Sequence, residues 1–263
     1  SMFSQCARRL ASSASALVKK KRFYKDVNVI NESLAGSPHY KIVLDGRVIK
    51  TMGGKPLQMG SEPLAMAIAE EWAAQEEHIE QGHMRLSGLA MTAIDNPLGM
   101  TKESITSIIM EYLATDTVLF FAPENEALME AQKARWAPLI DATNEDMNTK
   151  LTPAMDFLAE PVSAECRRKF ESWLMSYDFW ALNGLQYAVQ SSKSVLIPHG
   201  LIRHRLTVRD GVELALLEQR VQAEKWGQVE WAHDMDEEEL CTRLASGVLF
   251  AYLNSNKFIT KSI

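Results

Sequence analysis

The spacing of apolar residues changes period once along the chain. Over residues 23–59 the pattern is that of strands. Residues 39–44 run into Asp45-Gly46 and then into residues 47–51. An Asp-Gly pair between β-branched stretches predicts a hairpin, because a type I′ turn needs positive φ at both central positions. Gly53-Gly54 marks a second turn before residues 55–59, and an earlier strand over 24–30 is expected to pair with this meander. Ser61 then opens a helix with Glu62 and Pro63 in its first turn. Leu64, Ile68, Trp72, Gln75 and Ile79 follow at helical spacing, and their face would cover one side of the sheet. The apolar stretch 84–94 is broken by Asn96-Pro97, Thr101 caps a helix carrying Ile105, Ile109 and Tyr112, and residues 117–121 read as one more strand.

Beyond Pro123 the spacing is helical nearly throughout. Leu128, Gln132, Trp136 and Leu139 mark one helix, and Phe170, Trp173, Leu174 and Tyr177 another. Residues 179–189 and 195–202 follow. Thr207 with Asp210 is a capping signal that opens a long helix, and Asp236 with Glu239 is a second signal opening the last one. Strands followed by helices imply an α+β fold. The expected organisation is a small β-rich N-terminal domain with a covering helix over 23–125 and an all-α C-terminal domain over 126–263. No repeat of fixed period is present, which argues against a solenoid.

Residues 1–22 differ from the rest. Arg8, Arg9, Lys19, Lys20, Lys21 and Arg22 are basic, Ser12, Ser13 and Ser15 supply hydroxyls, and no acid appears before Asp26. That is the composition of a mitochondrial presequence; Ser1, ahead of Met2, is set aside as a tag remnant. The whole chain of 263 residues is 46% hydrophobic and 24% charged, the balance of a globular protein. Its net charge of −6 argues against nucleic acid as a partner. No apolar run approaches the ~20 residues needed to cross a bilayer, so stable membrane insertion is not expected. Cys6, Cys166 and Cys241 are scattered and suggest neither a disulfide framework nor a zinc finger.

Catalytic motifs are missing from the pattern: there is no Gly-x-Gly-x-x-Gly, P-loop, Gly-x-Ser-x-Gly or His-Glu-x-x-His. The best metal candidate, His233-Asp234 with the acids up to Glu239, is better explained as acidic residues complementing a helix N-terminus. The pairs Glu70-Glu71 and Glu76-Glu77 point ~100° apart on a helix, so they read as a solvated face. Glu218, with Gln222 one turn later, is an exposed polar stripe by pattern, and nothing local prefers it to Glu224.

Several segments together carry a likeness to a known family. They are Arg22-Phe23-Tyr24-Lys25, Leu44-Asp45-Gly46-Arg47, Lys55-Pro56-Leu57, Glu71-Trp72 with Gln75, Thr115-Asp116-Thr117, and Trp136-Ala137-Pro138. The strongest runs from Lys225-Trp226-Gly227 through Glu230 to His233-Asp234. In this order, over nearly the whole chain after the leader, the sequence resembles the ATP synthase F1 assembly factor 2 family. Its Met84-Arg85-Leu86 departs from the family's Met-Pro at that place. The resemblance implies a chaperone and not an enzyme, with no cofactor and no metal. Its client would be the unassembled F1 α subunit, protected from aggregation until β subunits take it, in the mitochondrial matrix. A monomer is expected.

The resemblance further implies that Glu218 is the important acidic position of the client-binding surface, with Gln222 and Trp226 beside it. Asp45, Gly46, Trp72, Gly227, Glu230, His233 and Asp234 would be structural or family-motif positions. Two other readings stand beside this one: a hydrolase-like matrix enzyme with a site assembled from scattered polar residues, and a binding module for a different matrix protein.

Overall fold

A computed structural model describes residues 20–32, 37–156, 158–226 and 230–255, without the side chains of 225–226 and 230–236. Gly227 and the side chains of Trp226, Glu230, His233 and Asp234 lie outside the described residues, as do residues 1–19 of the expected presequence.

The sheet is organised around one strand. β3 (Tyr40–Leu44) pairs antiparallel with β2 (Val27–Asn31), β4 (Arg47–Val48) and β5 (Gln58–Met59), with Val27 opposite Leu44, Leu44 opposite Arg47 and Tyr40 opposite Met59. Asp45 (φ 46°) and Gly46 (φ 82°) form the tight turn, both in the left-handed region that Asp-Gly tolerates. The Asp45 carboxylate also accepts the backbone N–H groups of Lys25 (3.0 Å) and Asp26 (2.8 Å), which pins the hairpin tip to the start of β2. These amides hold its carboxyl below the usual carboxylate range. A separate pair, β1 (Lys20–Lys21) with β6 (His78–Ile79), lies beside the sheet.

α1 (Glu62–Ala73) covers the sheet as expected, capped by Ser61 and burying Leu64, Ala65, Ile68 and Trp72. α2 (Arg85–Asp95) closes on Asn96 at φ 42° just before Pro97. α3 (Lys102–Ala114) starts in a reciprocal Thr101–Ser104 capping box. Residues 117–121 depart from expectation. They form a 3₁₀ turn, Thr117–Leu119, and only Phe120 touches a neighbour in strand fashion, at Ala154. The cause is Asp116, whose carboxylate caps the turn at Val118 N–H and so fixes a helical start.

The helical part holds α4 (Glu126–Arg135), α5 (Ala137–Met147), α6 (Ala164–Met175), α7 (Phe179–Ser192), α8 (Leu196–Ile202), α9 (Val208–Ala215), α10 (Leu217–Trp226) and α11 (Glu230–Leu253). Three expectations need correction. The helix through Leu128 and Leu139 is two, because Pro138 supplies no N–H to continue α4 past Trp136. The long helix after Thr207 is also two, divided at Leu216, although its Thr207–Asp210 capping box is formed. The last helix begins at Glu230 and not at Asp236, and Glu239 caps nothing. Glu239 receives a bidentate contact from Arg85, 2.6 Å to each oxygen, which joins α11 to α2.

Two hydrophobic clusters fill the interior. One lies under the sheet, built from Ile42, Leu57, Leu64, Ile68 and their neighbours. The other fills the helical part and takes in α3 and Val118–Phe121 as well as α4 to α11. Packing therefore changes hands near residues 95–101. Phe250, at the end of α11, is fully buried in the N-terminal cluster, stacked at 6.0 Å on Trp180 of α7. Ser61 Oγ donates to the Leu253 carbonyl at 2.5 Å, closing the same junction.

The crossing of α7 and α11 makes this possible. A Cβ on Gly184 would stand 2.6 Å from the Gly247 carbonyl oxygen, and one on Gly247 would stand 2.7 Å from the Gly184 carbonyl oxygen. Backbone on both sides blocks any relief by side-chain rotation. Gly247→Ala is expected to destabilise the protein by ~1–3 kcal/mol, the cost of overpacking. Gly88→Ala, in α2 with open space around it, should be neutral or stabilising by up to ~1 kcal/mol. Urea denaturation of both variants measures the difference; equal midpoints would remove the crossing from the argument.

Candidate functional site

Glu218 sits in the first turn of α10, half-buried, and its position is set from α4. Gln132 of α4 is fully buried. Its Oε1 accepts the Ala122 N–H at 2.8 Å, which fixes the orientation of the amide. Its Nε2 must then donate, to the Phe120 carbonyl (3.4 Å) and to Glu218 Oε1 (3.1 Å). One turn after Gln132, at the residue that ends α4, Trp136 closes the junction by donating Nε1 to the Leu214 carbonyl at 3.0 Å. Burial pushes the Glu218 carboxyl above its ordinary range, against the opposing effect of the Gln132 hydrogen bond.

Two arginines of these helices are already engaged. Arg135 pairs with Glu213 at 2.6 Å, and Arg220 with Glu237 at 2.7 Å. Glu218 has no cation partner among the described residues; the Gln132 amide is the contact described for it. Gln222, one turn later, is exposed, as is Glu224. The structure thus separates Glu218 from Glu224 where pattern does not: one carboxylate is held by a buried amide, the other stands in solvent. Trp226 belongs to the same helix, and its side chain lies outside the described residues. The chemistry available is that of a preset anionic acceptor.

Other polar positions are structural. Glu71, read from the sequence as part of a solvated face, is half-buried and caps α2. Its Oε1 accepts Leu86 N–H (2.8 Å), and its Oε2 accepts Ser87 N–H (2.8 Å) and Ser87 Oγ–H (2.6 Å). A carboxylate at a helix N-terminus meets unpaired donors and the positive end of the dipole. Arg22 does the converse at the end of α1, donating to the Ala73 and Gln75 carbonyls while lying 4.8 Å over the Tyr24 ring. Tyr24 donates its hydroxyl to the Trp72 carbonyl at 2.7 Å. Trp72 is buried, and its indole N–H has no partner among the described residues.

Asp116, in the Thr-Asp-Thr segment, was not singled out by pattern as a site. It is fully buried and accepts N–H groups from Val118 (3.0 Å), Val195 (2.6 Å) and Leu196 (3.1 Å). It thereby caps both the 3₁₀ turn and the start of α8, a helix with every residue buried. His199 of α8 lies against Trp173 (5.1 Å) and Phe170 (6.3 Å), and burial pulls its imidazole down to about 4. Among the described residues no three His, Cys, Asp or Glu side chains are grouped to hold a metal, and no helix is long and apolar enough to cross a membrane.

Known proteins resemble the chain in sequence and fold. A family model described as ATP12 chaperone protein matches residues 21–144. Protein atp12, mitochondrial, of Schizosaccharomyces pombe is 29% identical over 221 residues, covering 80% of this chain and 76% of the relative. Protein ATP12, mitochondrial, of Saccharomyces cerevisiae is 25% identical over 251 residues, covering 80% and 77%. The crystal structure of Atp12 from Paracoccus denitrificans superposes with a TM-score of 0.78 at 28% identity, covering 90% of this chain and 99% of that one.

Asp116 yields a pH test of the scaffold. Burial pushes its carboxyl from 3.8 up to about 6, outweighing its donors. The folded form therefore binds the proton more tightly than the unfolded form between pH 3.8 and 6. The stability this contributes is fully present below 3.8 and is lost as pH rises through 6, about 3 kcal/mol across that window. Asp116→Asn abolishes the slope and presents an NH₂ to backbone donors, costing ~1–3 kcal/mol. Urea titrations from pH 4 to 7 should show the gap between wild type and variant largest at pH 4 and narrowing toward 7. A gap that widens with pH would mean the donors, not burial, dominate.

Proposed function

We propose, from the likeness in sequence and fold to ATP12 chaperone proteins, that the chain is an ATP synthase assembly chaperone and not an enzyme, and that it holds the unassembled F1 α subunit in the mitochondrial matrix. In this reading it shields the subunit from aggregation and yields it to β subunits, acting as a monomer.

The observation that carries the reading is Glu218. A half-buried carboxylate with its orientation set by Gln132, and with neighbouring arginines already paired, has its charge free for a cation brought by a client. An assembling subunit exposes interface that is prone to aggregate until its partner arrives. A chaperone on that interface must be specific yet displaceable. One oriented charge beside a modest contact area gives specificity without the grip of a large apolar interface. Gln222 lies on the same helix face to extend the polar contact, and the half-buried Met129 and Leu216 supply apolar area nearby.

Glu218→Lys reverses the charge where a basic client group would dock. The fold should survive, since Gln132 keeps both Ala122 and Phe120 as partners; the expected cost is ~1 kcal/mol. Client affinity should fall at least tenfold. Co-expression with an aggregation-prone α subunit, scored for soluble heterodimer, measures it. Undiminished heterodimer from a folded variant would remove Glu218 from the interface.

A further inference from the structure

The N-terminal domain carries a cleft that takes no part in the α4–α10 site. It has a volume of about 620 Å³ and opens between the β3–β4 hairpin and the end of α1. Its floor is apolar, from Tyr24, Leu44, Ile49 and Ile79, all buried. Two large apolar side chains stand exposed at it, Phe23 at 60% and Met52 at 96%.

The charge around the cleft runs against that of the molecule. In a chain of net charge −6, Lys20, Arg47 and Lys50 line it. None of these cations is in an ion pair among the described residues, and Lys20 Nζ lies 4.6 Å over the Phe23 ring. The acid that lines the cleft, Asp45, is already committed to the amides of Lys25 and Asp26.

Trp72 adds an independent observation. It lines the same cleft, is 9% exposed, and its buried indole N–H has no acceptor among the described residues. A buried donor left unmade is unfavourable, and a ligand oxygen that reached it would offset that cost. The combination is an apolar trough with a cationic rim, with Trp72 and its unfilled indole donor among the lining residues.

We propose that this cleft binds a short acidic and apolar segment of a partner polypeptide. Carboxylates of the segment meet Arg47, Lys50 and Lys20, its apolar side chains cover Phe23 and Met52, and one of its carbonyl or carboxylate oxygens accepts from Trp72. The chain's own leader is a poor occupant, because Arg8, Arg9 and Lys19 repeat the charge of the rim.

The test uses the full chain and two labelled peptides, one alternating Asp with Leu and Phe, the other with Lys in place of Asp. Fluorescence anisotropy should show saturable binding of the Asp peptide, at least tenfold weaker for the Lys peptide. Arg47→Glu with Lys50→Glu should weaken the Asp peptide at least tenfold. Met52→Asp, at a side chain almost wholly in solvent, should weaken it as well and guards against a folding defect in the first variant. The indole ¹⁵N–H resonance of Trp72, identified with Trp72→Phe, should move on titration. The proposal is overturned if the two peptides bind alike or neither binds, if both variants bind as wild type, if the Trp72 resonance stays fixed, or if a single-stranded oligonucleotide displaces the peptide equally well.

Discussion

The backbone contact between α7 and α11 is the constraint from which the rest of the structure follows. Gly184 and Gly247 let two helices approach until a methyl group no longer fits between them. That approach places Phe250 at the far end of α11 inside the N-terminal core, against Trp180 of α7. Arg85–Glu239 and Ser61–Leu253 then tie α11 to the N-terminal part at two further points. Close-packed interiors transmit such a constraint because they have little free volume to absorb it. The sheet with its cleft, and the helical part with Glu218, are therefore held in one frame.

Within that frame, carboxylates do two kinds of work, separated by what they meet. Asp116 and Glu71 are surrounded by backbone donors and serve as caps for buried or half-buried helix starts. Glu218 meets one amide and keeps capacity to accept from outside. Its partner Gln132 is fixed by Ala122, so the acceptor is preset, which would lower the ordering cost of the binding proposed above. For the chaperone role proposed above, the requirement would be a surface that recognises a subunit and then gives it up, and a preset charge on a rigid scaffold suits both halves of it.

Much of the fold is legible where the signal is local. Asp45-Gly46, Ser61, Thr101 and the Thr207–Asp210 box act within a few residues of themselves, and each forms the turn or cap that its chemistry requires. Misreadings occur where a distant partner decides. Residues 117–121 have the apolar content of a strand, but Asp116 also caps α8 nearly eighty positions away and sets a helical turn instead. Glu239 looks like a cap until Arg85 claims it. Glu71 looks solvated until Leu86 and Ser87 fold back onto it. The break at Trp136 was readable, since Pro138 stands in plain view. No periodicity signals that Gly184 and Gly247 meet, and none separates Glu218 from Glu224; the family resemblance, not the pattern, pointed to Glu218.

Hydrogen exchange of the protein alone and with purified F1 α subunit probes the central claim most directly. The account requires slower exchange over α10 and the adjoining part of α4 when the subunit is present, with the amides of α7 and α11 already among the slowest and unchanged. Protection confined to other faces, or exchange rates identical with and without the subunit, would contradict it.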